Sequence, residues 1–159
     1  MLIKVDNREH QLLSDLRLLA AQETGRWVGI QIDTCPLPIG DAIIVDEDGN
    51  ERLIVERKTL NDLASSIADG RYSEQSVRLA STDLHNHNIV YLIEGDILRF
   101  VVRPGLQHVS KRPLIDRYAL ISAMTTLQYS KGFSVVRTSS TCDTALWLLQ
   151  TACKISRSK

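Results

Sequence analysis

Apolar and polar residues switch between two periods along this chain, and the switches mark its elements. Leu2-Ile3-Lys4-Val5 reads as a short strand ending at Asp6, followed by a turn through His10. Leu12, Leu13, Leu16, Leu19 and Ala20 recur at helical spacing and predict an amphipathic helix from about 11 to 23, stopped by Gly25. Residues 27–33 predict a second strand, with Val28, Ile30 and Ile32 on one face. Pro36, Pro38 and Gly40 make the next stretch an extended, bent connection.

Residues 41–46 and 51–56 read as two strands around Glu47-Asp48-Gly49-Asn50, a hairpin signal. A turn centred on Asp48-Gly49 opposes Asp41 to Glu56. A turn centred on Gly49-Asn50 opposes Asp41 to Lys58. In either register the aspartate faces the Glu56/Lys58 side of its partner, with opposed Cβ atoms roughly 4.5–5.5 Å apart. Thr59 is placed to cap a helix with Asp62 three residues on, and Leu60, Leu63, Ala64 and Ile67 form its apolar stripe up to Gly70. A further helix opens at Arg71-Tyr72-Ser73. The near-continuous apolar run 88–94 has the pattern of a buried parallel strand. Residues 97–102 are compatible with an extra strand. A helix from about 114 to 129, a strand 133–137 and a last helix from near Asp143 complete the chain. Strands alternating with helices predict an α/β architecture.

Composition narrows the class. At 159 residues, 43% hydrophobic and 24% charged, the chain has the makeup of one globular domain, and no apolar run approaches a membrane span of about 20 residues. Three scattered cysteines, Cys35, Cys142 and Cys153, match no disulfide framework or zinc spacing and point to an intracellular, reducing setting. The net charge of zero hides an asymmetry: five Lys/Arg against eleven Asp/Glu up to Glu56, then fourteen against eight. An acidic half carrying a metal and a basic half facing phosphates has this form, as do ordinary solvated surfaces.

The candidate chemistry gathers at Glu56-Arg57-Lys58. Successive strand side chains alternate, so Glu56 and Lys58 share a face and Arg57 takes the other. Asp41 and Glu56 supply two hard oxygen donors suited to a divalent cation such as Mg²⁺, and Lys58 is placed to orient a water or stabilise phosphate charge.

Gly40-Asp41, Glu56-Arg57-Lys58 and Asp62 together resemble the GD-(x)n-ERK-xxx-D signature of the structure-specific endonucleases related to xeroderma pigmentosum group F and the Mus-type crossover junction nucleases, a branch of the PD-(D/E)xK superfamily. Asp6-Asn7-Arg8-Glu9 is similar to that family's D-x-R-E element. Asp69-Gly70-Arg71-Tyr72 with Gln75, Tyr91-Leu92-Ile93-Glu94 and the last strand and helix extend the likeness over nearly the whole chain. The resemblance implies a restriction-endonuclease-like central mixed sheet flanked by helices. It implies Asp41 and Glu56 as metal ligands with the Arg57 backbone carbonyl, and Lys58 as the catalytic lysine. Asp6 and Glu9 approach the site, Asp62 supports it, and Arg8, Arg71 and Gln75 are candidate DNA contacts. The implied activity is Mg²⁺- or Mn²⁺-dependent hydrolysis of branched DNA (3′ flaps, forks, Holliday-type junctions) in repair or recombination. The implied assembly is a homodimer or heterodimer through the C-terminal helices, with Leu120, Met124, Leu127, Trp147 and Leu149 as intersubunit candidates.

Family members usually carry a tandem helix-hairpin-helix domain after the nuclease domain. Here the expectation is a single nuclease domain over 1–159 without one. The second functional class is a non-catalytic DNA-binding or dimerisation partner; such halves have eroded motifs, and none of the six signature positions here is eroded. His85 and His87 lack a third ligand and read as a polar loop, and His10 as a surface residue. Arg99, Arg103, His108, Lys111 and Arg112 either contact phosphates or solvate a loop.

Overall fold

The computed structural model describes residues 1–23, 25–101 and 115–158. Among them, six strands form one sheet and five α-helices cover it. The strands are β1 (Leu2–Asp6), β2 (Gln31–Cys35), β3 (Ala42–Val45), β4 (Glu51–Thr59), β5 (Ile89–Glu94) and β6 (Ser134–Thr138). Their order across the sheet is β2-β1-β3-β4-β5-β6. Only β3 runs against its neighbours, so the other five strands share a direction and end on one edge. This is the expected mixed sheet.

Side-chain alternation divides the core into two layers. Ile3, Val5, Ala42, Ile44, Val55, Val90 and Leu92 pack on one face with α1 (His10–Gln22) and α5 (Thr141–Ser156). Ile43, Ile54, Ile89, Tyr91 and Ile93 pack on the other face with α2 (Leu60–Asp69), α3 (Arg71–Ala80) and α4 (Arg117–Thr125). Each fully buried side chain such as Leu16 or Leu63 contributes about 1.5–3 kcal/mol. All six residues of β5 are buried, because it lies between two parallel neighbours with helices on both faces. No helix among the described residues is long and apolar enough to cross a membrane.

Several boundaries differ from those expected. The second strand begins at Gln31, not 27, because the stretch before it turns: the Ile30 N–H donates to the Trp27 carbonyl, and pairing with β1 starts at Leu2↔Gln31. Gly29 adopts φ 82°, and Val28 is 79% exposed rather than aligned with Ile32. The first helix ends at Gln22, short of Gly25. Residues 97–99 make a 3₁₀ turn capped by Asp96 instead of an extra strand. The helix expected over 114–129 starts at Arg117, where Asp116 accepts the Ala119 N–H, and passes into a π turn at Thr126–Ser130. Leu114, Arg103, His108, Lys111 and Arg112 lie outside the described residues. The last helix starts at Thr141, earlier than Asp143, because Ser140 caps it by accepting the Asp143 N–H.

The intersubunit candidates need correcting as well. Leu120, Leu127 and Leu149 are fully buried in this chain's own core, Met124 is nearly so, and Trp147 packs against the α1/α5 cluster. Their helical spacing faces the sheet. The exposed apolar side chains of these helical segments are Tyr118, Ile121, Tyr129 and Leu146.

Candidate active site

The common strand edge collects the signature. Asp6 ends β1, Glu56 to Lys58 approach the end of β4, and Asp41 immediately precedes β3. In open α/β sheets this carboxyl edge is where ligands bind. The hairpin is neither of the two expected turns. Asp46 accepts the backbone N–H groups of Asp48 and Asn50, Gly49 takes φ 86°, and a bulge follows Ile44. Beyond the bulge the pairs are Ile44↔Leu53, Ile43↔Ile54 and Ala42↔Val55. That offset is the one that brings Asp41 towards Glu56. The regular ladder stops at Ala42: the Asp41 N–H donates to the Val55 carbonyl at 2.8 Å, and Asp41 Oδ2 accepts the Arg57 N–H at 2.7 Å.

Gly40 makes this approach possible. Its φ is +71°, and a Cβ there would lie 2.7 Å from Ile54 Cγ2 and 3.1 Å from the Val55 carbonyl oxygen. Gly40→Ala is expected to cost about 2–3 kcal/mol of stability, from left-handed strain and the clash with β4. Urea unfolding of the variant checks this, and the displaced backbone is that of Asp41.

Asp41 and Glu56 line an open cleft of about 310 Å³ with Arg8, Glu9, the 37–40 connection, Gln75 and Arg78. Both carboxylates are largely withdrawn from water. Burial, then the charge of Asp41, pushes Glu56 up to about 7. Burial likewise raises Asp41, against the Arg57 N–H and the Lys58 charge. Lys58 is 6% exposed, with Nζ 3.3 Å from Glu56 Oε1. A buried and a partly buried carboxylate that resist ionising together, beside one ammonium, form a pocket short of positive charge.

Arg57 points to the opposite face, as alternation requires. Its Nη1 donates to Glu9 Oε2 at 2.8 Å, and its Nη2 contacts Glu94 Oε2 at 2.5 Å and Thr141 Oγ1 at 3.2 Å. Glu9 therefore lies between Arg57 and the cleft; burial raises its pKa and Arg57 opposes that. Asp6 is 2% exposed and accepts from Arg8 Nε, the Arg8 N–H and the Leu37 N–H at 2.7, 3.0 and 2.9 Å. The Arg8 guanidinium holds its carboxyl well below the usual range despite burial. Asp6 thus ties the end of β1 to the connection leading into Asp41. Thr59 Oγ1 accepts the Asp62 N–H and donates to Asp62 Oδ2, so the expected cap forms and Asp62 fixes the turn just beyond Lys58.

On α3, Arg71 is exposed and bound to Asp69, while Gln75 lines the cleft with a buried, unpartnered Oε1. Arg78, three residues on, also lines it and donates to the Pro38 carbonyl. Sequence reasoning passed over Arg78, although the 71/75/78 helical spacing places it with the other two. It also passed over Glu94 as a partner of Arg57. His10 is an exposed first residue of α1, His85 and His87 stack at 5.6 Å around an exposed 3₁₀ turn, and Arg99 pairs with Asp96. Among the described residues no group of three His, Cys, Asp or Glu side chains is disposed to hold a metal.

The ERCC4 domain model matches residues 5–151. The chain is 33% identical to the human structure-specific endonuclease subunit MUS81 over 150 residues, which are 87% of this chain and 23% of that protein. It is 31% identical to the crossover junction endonuclease mus81 of Emericella nidulans, over 92% of this chain and 24% of that one. It thus spans about a quarter of these relatives. Among solved structures, XPF from Aeropyrum pernix superposes with a TM-score of 0.68 at 29% identity, covering 100% of this chain and 66% of that one. The same protein in complex with DNA gives 0.65, covering 98% and 64%. With the signature residues gathered at one strand edge and the match running through β1 to α5, the chain belongs to the ERCC4 domain family.

Proposed function

We propose that this chain is the catalytic domain of an intracellular, metal-dependent, structure-specific endonuclease that hydrolyses phosphodiesters in branched DNA during repair or recombination. The observation that carries this is the partly buried Asp41 facing the buried Glu56, with Lys58 beside them and both carboxylates raised by desolvation. Such a pair fits a hard divalent cation, which would relieve their mutual repulsion and accept two hard oxygens. Mg²⁺ or Mn²⁺ would be held by Asp41, Glu56 and the Arg57 backbone carbonyl, and when bound supplies Lewis-acid polarisation of the phosphate. Asp41 lines the cleft, and its Oδ2 is fixed by the Arg57 N–H. Lys58 donates to the oxygen on which charge develops. Glu9 and Asp6 shape the rim, and Asp62 holds the turn after Lys58. Arg8, Gln75 and Arg78 line the cleft where backbone phosphates would lie, and the exposed Arg71, one helix turn before Gln75, is a further candidate contact. Phosphate contacts of this kind make binding salt-sensitive and carry no base sequence.

The same reading includes a homodimer or heterodimer. The exposed Tyr118, Ile121, Tyr129 and Leu146 of the C-terminal helical segments are its contact candidates in place of the buried leucines. Three free cysteines suit an intracellular setting. The test is a panel of labelled 3′-flap, fork, nicked-junction and linear duplexes with Mg²⁺ or Mn²⁺. Branched substrates are expected to be cut in preference to the linear duplex, and chelation by EDTA to stop cutting. Equal cutting of the linear duplex, or cutting that persists in EDTA, overturns the reading. Binding without cutting turns it towards the non-catalytic partner.

A further inference from the structure

Glu94 has no role in the chemistry above, yet it is one of the most enclosed charges in the chain, at 5% exposure. It ends β5, beside β4, and shares the α1/α5 face with Val90 and Leu92, the face opposite that of Glu56 and Lys58. Both of its oxygens are committed. Oε2 receives Arg57 Nη2 at 2.5 Å, and Oε1 accepts the Thr144 hydroxyl at 2.8 Å. Thr138 Oγ1 lies 2.8 Å from Thr144 Oγ1 and supplies its hydrogen when Thr144 donates to Glu94. Thr138 and Thr144 are themselves buried, at the end of β6 and in the first turn of α5. The row Thr138, Thr144, Glu94, Arg57, Glu9 therefore joins β6, α5, β5, β4 and the start of α1 beneath the cleft.

A buried ion pair of this kind is weak evidence for stability, because desolvation offsets most of its attraction. Its position points to another role. Arg57 lies between Glu56 and Lys58, and its N–H orients Asp41 Oδ2. A carboxylate pinned at one oxygen by a hydroxyl cannot turn away from the guanidinium bound at the other. Without it, the one remaining carboxylate partner of Arg57 among the described residues is Glu9, on the cleft side. We propose that Glu94, locked by Thr144 and Thr138, is a positioning residue that acts through Arg57 to hold the Glu56-Lys58 strand and the Asp41 carboxylate in register. This rests on the nuclease reading for its consequence in catalysis, and on the geometry alone for its consequence in structure.

The test compares Glu94→Gln, Thr144→Val and Thr144→Ser with the unaltered chain, each checked for folding by thermal melting. Three quantities are measured: Mn²⁺ affinity by calorimetry, single-turnover cleavage of a 3′ flap, and hydrogen exchange of the Arg57 amide. Glu94→Gln and Thr144→Val are expected to lower Mn²⁺ affinity or cleavage by about 10–100-fold, the usual effect of groups that orient a metal's ligands. Thr144→Ser, which keeps the hydroxyl, is expected to stay within about threefold. Arg57 amide exchange should quicken about tenfold in the two damaging variants and not in the serine variant. The proposal is overturned if folded Glu94→Gln retains both Mn²⁺ affinity and Arg57 protection, or if Thr144→Ser is as damaging as Thr144→Val. If the unaltered chain binds no Mn²⁺ and cuts nothing, the nuclease reading falls, and the Arg57 exchange rates still decide the role of Glu94.

Discussion

Glu56→Gln is expected to abolish metal-dependent cleavage and, at the same time, to make the metal-free protein more stable at pH 8. The loss follows from replacing one of two carboxylate ligands by an amide. It should reach about a thousandfold or more, equivalent to roughly 4 kcal/mol of transition-state stabilisation. The gain follows from the cost of keeping this group ionised where it is. In the metal-free fold Glu56 holds its proton up to about 7, raised by burial first and Asp41 second, against an ordinary 4.5. Between those two pH values the folded state binds a proton that the unfolded chain has released, so stability falls as pH rises through that window. Below it the two states are matched and the slope vanishes. A neutral glutamine removes the penalty. It also removes the 3.3 Å contact with Lys58, which offsets part of the benefit. The net gain at pH 8 is therefore on the order of 1–2 kcal/mol, seen as a melting temperature several degrees higher. At pH 4 the gain should disappear. Melting curves at the two pH values, with EDTA present, check the sign. A variant that loses activity by collapsing would instead melt lower at both.

Lys58→Met should cost cleavage a comparable factor of about a thousand while leaving Mn²⁺ affinity at pH 8 within about threefold. Methionine fills a similar volume and is at home where Lys58 lies, 6% exposed. Nζ is not a metal donor, so what disappears is the positive charge at the reacting phosphate. The ammonium also lowers the pKa of both Asp41 and Glu56. Its removal raises both further, so the variant's Mn²⁺ affinity should fall more steeply than normal below pH 7. Single-turnover rates together with titrations at pH 6.5 and 8 separate these effects. Equal loss of metal affinity at pH 8 would make Lys58 part of the metal site's architecture instead.

Local features of this site were legible because they depend on short-range geometry. Alternation along β4 placed Glu56 and Lys58 together and Arg57 behind them. The spacing from Thr59 to Asp62 anticipated a cap that forms with both hydrogen bonds. Of the two hairpin offsets that the sequence leaves open, the one opposing Asp41 to Glu56 holds at the Asp41 end, and neither turn forms. The bulge after Ile44 absorbs one residue, and no local residue choice announces it. The start of β2 was misplaced because Val28 has strand propensity but lies in a turn, closed by the Ile30 N–H on the Trp27 carbonyl with Gly29 at φ 82°. The groups that had no local signal are those defined by distant contacts. Asp6 is bound by the N–H of Leu37, 31 residues away, and Arg57 reaches Thr141, 84 residues away. Glu94 looked like the end of an apolar strand, and only the fold brings Thr144 to it across 50 residues. Leu120, Leu127 and Leu149 illustrate the converse. A stripe at helical spacing identifies a buried face, but not whether the chain's own sheet or a second subunit buries it.

The most direct test of the Asp41–Glu56 assignment is Mn²⁺ binding measured by calorimetry at pH 6.5 in two buffers of different ionisation heat, which counts protons as well as metal. Glu56 holds its proton up to about 7, so binding to that pair must expel it. The predicted result is saturable binding with close to one proton released, abolished in Asp41→Asn and accompanied by no proton release in Glu56→Gln. Binding of equal strength in the unaltered chain and Asp41→Asn, or binding without proton release in the unaltered chain, would contradict it.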